Sequence, residues 1–173
     1  MQFFSGFSLQ NEESFFKDYI DSSLYCVCGF NYGAIQALAY TKEQLSKGKR
    51  IDRLQLLSPA FFQTKSEKFK RLQLLAFSKN KQQYIKQFID ACFFPYKSKN
   101  VEIYESSKEN LEELLNYEWI LSDLLDVKSQ GVVIEVYLGG ADAIIDVDNA
   151  RDFFLDTCDV TYIKNANHFL QIQ

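Results

Sequence analysis

Short, wholly apolar runs alternate along this chain with longer stretches in which apolar positions recur every three to four residues. The first pattern suits strands covered on both faces, and the second suits amphipathic helices. Met1 to Ser5 predicts a strand running into Gly6. Asn11 to Ile20 predicts a helix, with Phe15, Phe16, Tyr19 and Ile20 at helical spacing and Glu12 and Glu13 favouring its first turn. Leu24 to Cys28 reads as a buried strand that breaks at Gly29, and Gly33 to Leu45 returns to helical spacing until Gly48 ends it. Leu54 to Leu57 is the third strand, closed by Ser58-Pro59, because proline cannot donate to a ladder and biases the residue before it away from helix.

Residues 60–126 carry no strand pattern. Amphipathic helices are expected near Lys68 to Phe77, near Gln82 to Phe93, and after a capping box Ser106-x-x-Glu109 that precedes Leu111, Leu114, Leu115, Leu121, Leu124 and Leu125. After Gly131 come an apolar strand, Val132 to Leu138, a helix around Asn149 to Leu155 and a last strand, Val160 to Ile163. The fold class is therefore α/β: about five parallel strands with helices on both faces, in one domain spanning 1–173. The helical insertion at about 60–126 follows the third strand at the C-terminal edge of the sheet, where open α/β folds bind ligands, and is placed to act as a lid.

Composition narrows the classes. Apolar residues make up 47% of the chain, and only seven glycines and two prolines interrupt it, so a packed core is expected rather than disorder. No apolar run reaches the roughly 18 residues of a membrane span, and Met1-Gln2-Phe3-Phe4 lacks the basic start of a signal peptide, which predicts a cytoplasmic protein away from membranes. In that compartment Cys26, Cys28, Cys92 and Cys158 are expected as reduced packing residues, and with a single histidine no zinc site is expected. Neither a Gly-x-Gly-x-x-Gly nor a Gly-x-x-x-x-Gly-Lys-Ser/Thr motif occurs, so no cofactor is expected and a nucleotide-binding flavodoxin-like protein is disfavoured.

A net charge of −4 argues against nucleic-acid binding, but its distribution is uneven. Between Lys65 and Lys99 nine basic side chains, Lys65, Lys68, Lys70 and Arg71 among them, face only Glu67 and Asp90, about +7 within an acidic chain. Such a segment either solvates helix faces or docks an acidic partner.

Chemistry centres on Gly29-Phe30-Asn31-Tyr32-Gly33, where two glycines flank the middle residue of a strand-to-helix turn at the spacing of a nucleophile elbow, Gly-x-Ser-x-Gly. The turn forces its central residue to positive φ, which asparagine tolerates better than most residues, so Asn31 fits the shape without supplying a nucleophile. Asp142, in Gly139-Gly140-Ala141-Asp142, follows the fourth strand, and His168, the sole histidine, follows the last. Elbow, acid and histidine then stand in hydrolase order, each past a strand's C-terminal end. His168 would take a proton from a hydroxyl at position 31, and Asp142 would hold its tautomer. Asp146 and Asp148 compete for the acid's place, but Asp142 comes first after the strand. Gly6-Phe7 follows the first strand, so the backbone N–H groups of Phe7 and Tyr32 could form an oxyanion hole, although Gly6 also suits a plain turn. Cys28 and Ser5 are alternative nucleophiles, neither at the tip of the turn.

Phe3-Phe4-Ser5-Gly6-Phe7, Gly29-Phe30-Asn31-Tyr32-Gly33-Ala34, Leu57-Ser58-Pro59, Lys70-Arg71-Leu72-Gln73-Leu74 and the closing His168 together resemble the short bacterial pimeloyl-[acyl-carrier-protein] methyl ester esterases of biotin synthesis, which are abbreviated α/β-hydrolases. The resemblance spans nearly the whole chain and implies removal of a methyl ester from pimeloyl-acyl-carrier protein, with serine expected at position 31, Asp142 as acid and His168 as base. Ser5 stands where such proteins place a histidine before the oxyanion glycine. The partner implied is an acyl-carrier protein, acidic and suited to the basic lid through Lys65, Lys68, Lys70 and Arg71. Asn31 is the departure: loss of a triad nucleophile typically costs about 10⁶ in turnover, so little or no hydrolysis is expected. Either Asn31 replaces a serine in an otherwise complete carboxylesterase, or the chain is a natural non-catalytic acyl-carrier-protein-binding pseudo-hydrolase.

Overall fold

The computed structural model describes residues 1–173. Strands β1 (Gln2–Phe4), β3 (Cys26–Phe30), β4 (Arg53–Leu57), β6 (Val133–Gly139) and β7 (Asp159–Ile163) form one parallel sheet in the order β1-β3-β4-β6-β7. Every residue of β3 is buried, which is why its sequence shows no polar alternation. The strand begins two residues later than its apolar run, leaving Leu24 outside the sheet and 86% exposed.

Helix α1 (Tyr32–Ser46) packs on β1, β3 and β4, α5 (Leu121–Ser129) packs on α1 and β6, and α6 (Val147–Leu155) packs on β6 and β7. The opposite face carries Cys26, Cys28 and Phe30 and is covered by the segment 12–21: Phe16 meets Phe30 at 4.7 Å between ring centroids, and Tyr19 meets Tyr137 at 5.5 Å. Gln55 of β4 ties that segment down by donating to the Tyr19 carbonyl at 2.9 Å and accepting from the Asp21 N–H at 2.8 Å.

The expected helix over Asn11 to Ile20 is a single 3₁₀ turn, Glu12–Phe16. Asn11 enters it at φ 60°, and the Glu12 carboxylate turns inward to accept from the Gly6 N–H at 2.6 Å, so the first turn is used to hold a loop rather than to propagate a helix. The insertion contains α2 (Glu67–Lys79), α3 (Lys81–Phe93) and α4 (Lys108–Asn116), whereas α5 returns to the sheet, so the lid ends before residue 126. The capping box lies one residue later than the sequence suggests: Ser107 and Asn110 form it, and the Ser106 hydroxyl instead accepts from the Ser8 N–H at 2.9 Å. The insertion also contains a short strand, β5 (Glu102–Ile103), paired antiparallel with β2 (Leu9–Gln10). A two-residue pairing has too little pattern to read from sequence, yet it fastens the segment after Phe7 to the lid.

Candidate active site

The strand-to-helix turn is built from contact as much as from dihedral angles. A Cβ on Gly29 would lie 2.1 Å from the Gly33 oxygen, and one on Gly33 would lie 2.0 Å from the Phe4 oxygen, so neither position admits a side chain. Between them Asn31 sits at φ 52° and ψ −113°, an uncommon conformation for a residue bearing Cβ. Its backbone is held on both sides: the N–H donates to Leu57 at 3.0 Å, and the carbonyl accepts from Ala34 at 3.1 Å and Ala60 at 3.2 Å.

The side chain of Asn31 reaches His168, with Nδ2 3.0 Å from Nε2, and His168 Nδ1 stands 2.6 Å from Asp142 Oδ2. The Phe7 N–H donates to Asn31 Oδ1 over a long 3.4 Å. These contacts assign the protons. An acceptor is needed opposite the Phe7 N–H, so the Asn31 NH₂ faces the imidazole, Nε2 accepts, and Nδ1–H donates to the carboxylate. In that tautomer the Nε2 lone pair of His168 points at residue 31.

Two strand-end loops bring the acid to the ring. Gly139 and Gly140 lie against the backbone of residues 164–167, where a Cβ would approach carbonyl oxygens to 2.3 and 2.4 Å, and the Ala141 N–H donates to Ala166 at 2.8 Å. Asp142 Oδ1 accepts from the Ile144 and Ile145 N–H groups at 2.7 and 3.3 Å, leaving Oδ2 for His168. Asp146 is occupied elsewhere: it accepts from Thr64 Oγ1 at 2.8 Å and caps α6 through Asn149, bonds that hold its carboxyl below the usual range. Asp148 is exposed and lies 3.7 Å from Arg151.

Asn167, which the sequence reading passed over, positions the histidine. Fully buried, it donates to the Phe93 carbonyl at 2.9 Å and accepts from the Gln171 N–H at 3.0 Å, closing the loop that carries His168. Phe93, Phe169 and Phe30 stack beneath, and the Phe30 ring lies 5.0 Å from the imidazole. An amide beside the only histidine is the one sequence signal that could have marked it, since a buried amide needs partners.

Of the expected oxyanion donors, the Phe7 N–H does face residue 31, and the Tyr32 N–H opens α1, where the first N–H groups have no intrahelical acceptor. Glu12, also missed, holds the Gly6-Phe7 loop through the Gly6 N–H; burial pushes its carboxyl up, against the lowering effect of that N–H, and Oε2 has no partner. Cys28 is fully buried and its thiol is pushed well up by burial, which keeps it protonated and unreactive.

Asn31, His168 and the Asp142 side chain have no solvent exposure. Beside Asp142 lies a partly open cavity of about 360 Å³ lined by Phe7, Phe62, Phe69, Phe88, Leu111 and Leu114 together with Lys65 and Asp142 itself. Phe7 belongs to both: its ring lines the cavity and packs on Phe77 and Phe88, while its N–H reaches Asn31. Of the basic lid residues, Lys68 and Arg71 are exposed and Lys65 is partly so. Lys70 departs from expectation: it is 8% exposed and lies 3.2 Å from Glu67, so its charge is covered rather than displayed. No three His, Cys, Asp or Glu side chains gather as metal donors. No helix is long and apolar enough to cross a membrane.

No protein-family model and no curated protein sequence matches the chain. Solved structures do. BioG from Haemophilus influenzae superposes with a TM-score of 0.57 at 10% identity over 98% of this chain and 88% of its own. The carboxylesterase CesB (YbfK) from Bacillus subtilis gives 0.57 at 14% identity, and naproxen esterase (carboxylesterase NP) from the same organism gives 0.50 at 18%. Each of those two matches covers 85% of this chain, which spans only about half, 54%, of either esterase. Identities this low speak for architecture alone. Taken with the sheet order and the strained turn after β3, they establish that this chain has the α/β-hydrolase fold, with asparagine at the apex of its strand-to-helix turn.

Proposed function

We propose that this chain carries the machinery of a serine carboxylesterase for the methyl ester of pimeloyl-acyl-carrier protein, silenced by asparagine where the nucleophile belongs. One observation carries the reading: His168 Nε2 lies 3.0 Å from the side chain of the residue at the turn's apex, and Asp142 lies 2.6 Å from the ring's other nitrogen. A serine hydroxyl at that apex would lose its proton to Nε2 as it attacked the ester carbonyl, and His168 would return the proton to the departing alcohol. The Phe7 and Tyr32 N–H groups would hold the oxyanion. The carboxamide of Asn31 has no such lone pair to give, so the site binds an ester without opening it.

The cavity supports an acyl substrate, since its volume falls in the roughly 300–1,000 Å³ range of small-molecule sites and its walls are mainly apolar. Exposed Lys68 and Arg71, with Lys65 at the cavity, support an acidic carrier. The direct test is Asn31→Ser assayed on pimeloyl methyl ester and on a short p-nitrophenyl ester. Hydrolysis should rise by up to about 10⁶ over the parent chain. A folded Asn31→Ser protein with no esterase activity would count against the reading.

The second reading, a non-catalytic binder of acyl-carrier protein, is favoured by one particular: both ends of the Asn31 amide are hydrogen-bonded and the residue is fully enclosed, as befits a settled structural position. It expects the parent chain to bind acyl-carrier protein and the serine variant to gain nothing.

A further inference from the structure

The apex of the turn holds an asparagine in an arrangement that favours chemistry on its own side chain. At ψ −113° the Tyr32 nitrogen lies nearly eclipsed with Asn31 Cβ about the Cα–C bond, because Cβ and the residue's own nitrogen are separated by a tetrahedral step around Cα. That is the disposition a five-membered ring through Cγ requires, and one that helix and strand conformations both deny. The Tyr32 N–H opens α1 and has no intrahelical acceptor, so attack by this nitrogen sacrifices no helical hydrogen bond. The amide carbonyl is polarised by the Phe7 N–H at 3.4 Å, and the leaving nitrogen Nδ2 lies 3.0 Å from His168 Nε2. A donor, a base and a nucleophilic nitrogen thus converge on one electrophilic carboxamide, in a site without solvent exposure to blur their geometry.

We propose that Asn31 is a self-modifying residue, converted in the folded protein through a cyclic imide with the Tyr32 nitrogen to a carboxylate. The bond from Tyr32 N to Asn31 Cγ forms as His168 Nε2 takes the N–H proton, with Asp142 steadying the imidazolium. The Cγ–Nδ2 bond then breaks, His168 returns the proton to Nδ2, and ammonia departs. One water, admitted when the lid opens locally, adds across the imide and leaves aspartate or isoaspartate at position 31. No oxidation state changes, and water is the sole co-reactant. The product is a carboxylate at the apex of the turn, facing His168.

The test is peptide mass spectrometry of the intact protein aged at neutral pH, folded and in urea. In ordinary asparagines folding slows deamidation; at Asn31 the folded chain should convert faster than the urea-unfolded one, by about 10²-fold if His168 contributes as general acid–base groups do. His168→Gln should remove that acceleration without altering the unfolded rate. Neutral hydroxylamine, which opens cyclic imides, should cleave the folded chain between residues 31 and 32. Equal or slower conversion in the folded state overturns the proposal, as does conversion in folded protein that hydroxylamine never intercepts. Exposed Asn100 and Asn149 serve as internal controls that should not show the folded-state acceleration.

Discussion

Tyr32 Oη donates to Glu113 Oε2 at 2.6 Å, joining the first residue of α1 to the lid helix α4. The residue whose N–H would face an oxyanion is thus the residue whose side chain ties α4 to the turn. Burial raises the Tyr32 phenol, and the bond to Glu113 raises it further, both effects keeping the donor proton in place. Tyr32→Phe is expected to loosen α4. Because Glu113 is exposed to water, the loss in global stability should be only about 1 kcal/mol by urea unfolding. Amide hydrogen exchange should accelerate in 108–116 and not in β3; uniform exchange across both would contradict a latch.

Asn31→Ala leaves the Phe7 N–H and His168 Nε2 without their partner and places a less tolerant residue at φ 52°. A destabilisation of about 2–3 kcal/mol is expected from the two unmet groups and the strain together. Asn31→Gly removes the same bonds but not the backbone's freedom, so it should be about 1 kcal/mol more stable than the alanine variant. Paired denaturation curves separate the two contributions, and an alanine variant at least as stable as glycine would mean that the turn is unstrained.

Glu12 sets a pH dependence. Its folded-state carboxyl is raised above its ordinary value of 4.5, chiefly by burial, so the folded chain binds this proton more tightly than the unfolded chain. The sign follows: stability associated with this group is greatest below pH 4.5 and falls as pH rises through the folded value, the cost being complete above it. Glu12→Gln removes the titration. Its stability relative to the parent should increase from pH 4 to pH 7, measured as the difference in urea midpoints; a constant difference would show that Glu12 titrates alike in both states.

The exposed cations of α2 are expected to matter for an acidic carrier and not for the fold. Lys68→Glu with Arg71→Glu should weaken binding of acyl-carrier protein about tenfold or more, with the loss shrinking as salt is added. Lys70→Gln, at a covered position paired with Glu67, should change carrier binding little. Equal losses at Lys70 and Arg71 in a titration monitored by fluorescence anisotropy would argue against a docking face.

Much of the frame was legible in residue order. The apolar runs became the five strands, shifted by one or two residues where a run such as Leu24-Tyr25 begins before its neighbour can pair with it. The short β2–β5 pairing and the inward turn of Glu12 were not legible, since each depends on a partner remote in sequence and on no local period. Lys70 shows the same limit at the surface: its charge reads like that of Lys68, and only the packing of α2 decides that one is covered and the other free.

Spacing and residue type alone determined that the chain alternates strands and helices, that a turn flanked by Gly29 and Gly33 follows β3, and that no hydroxyl or thiol occupies its tip, because steric demand and burial period are local properties. Tertiary structure decided what that tip touches. Asn31 and His168 are 137 positions apart and Asp142 is 26 from His168, and their contact exists only because parallel strands end at one sheet edge, where the Gly139-Gly140 loop and the Asn167 loop lie close enough to lace together.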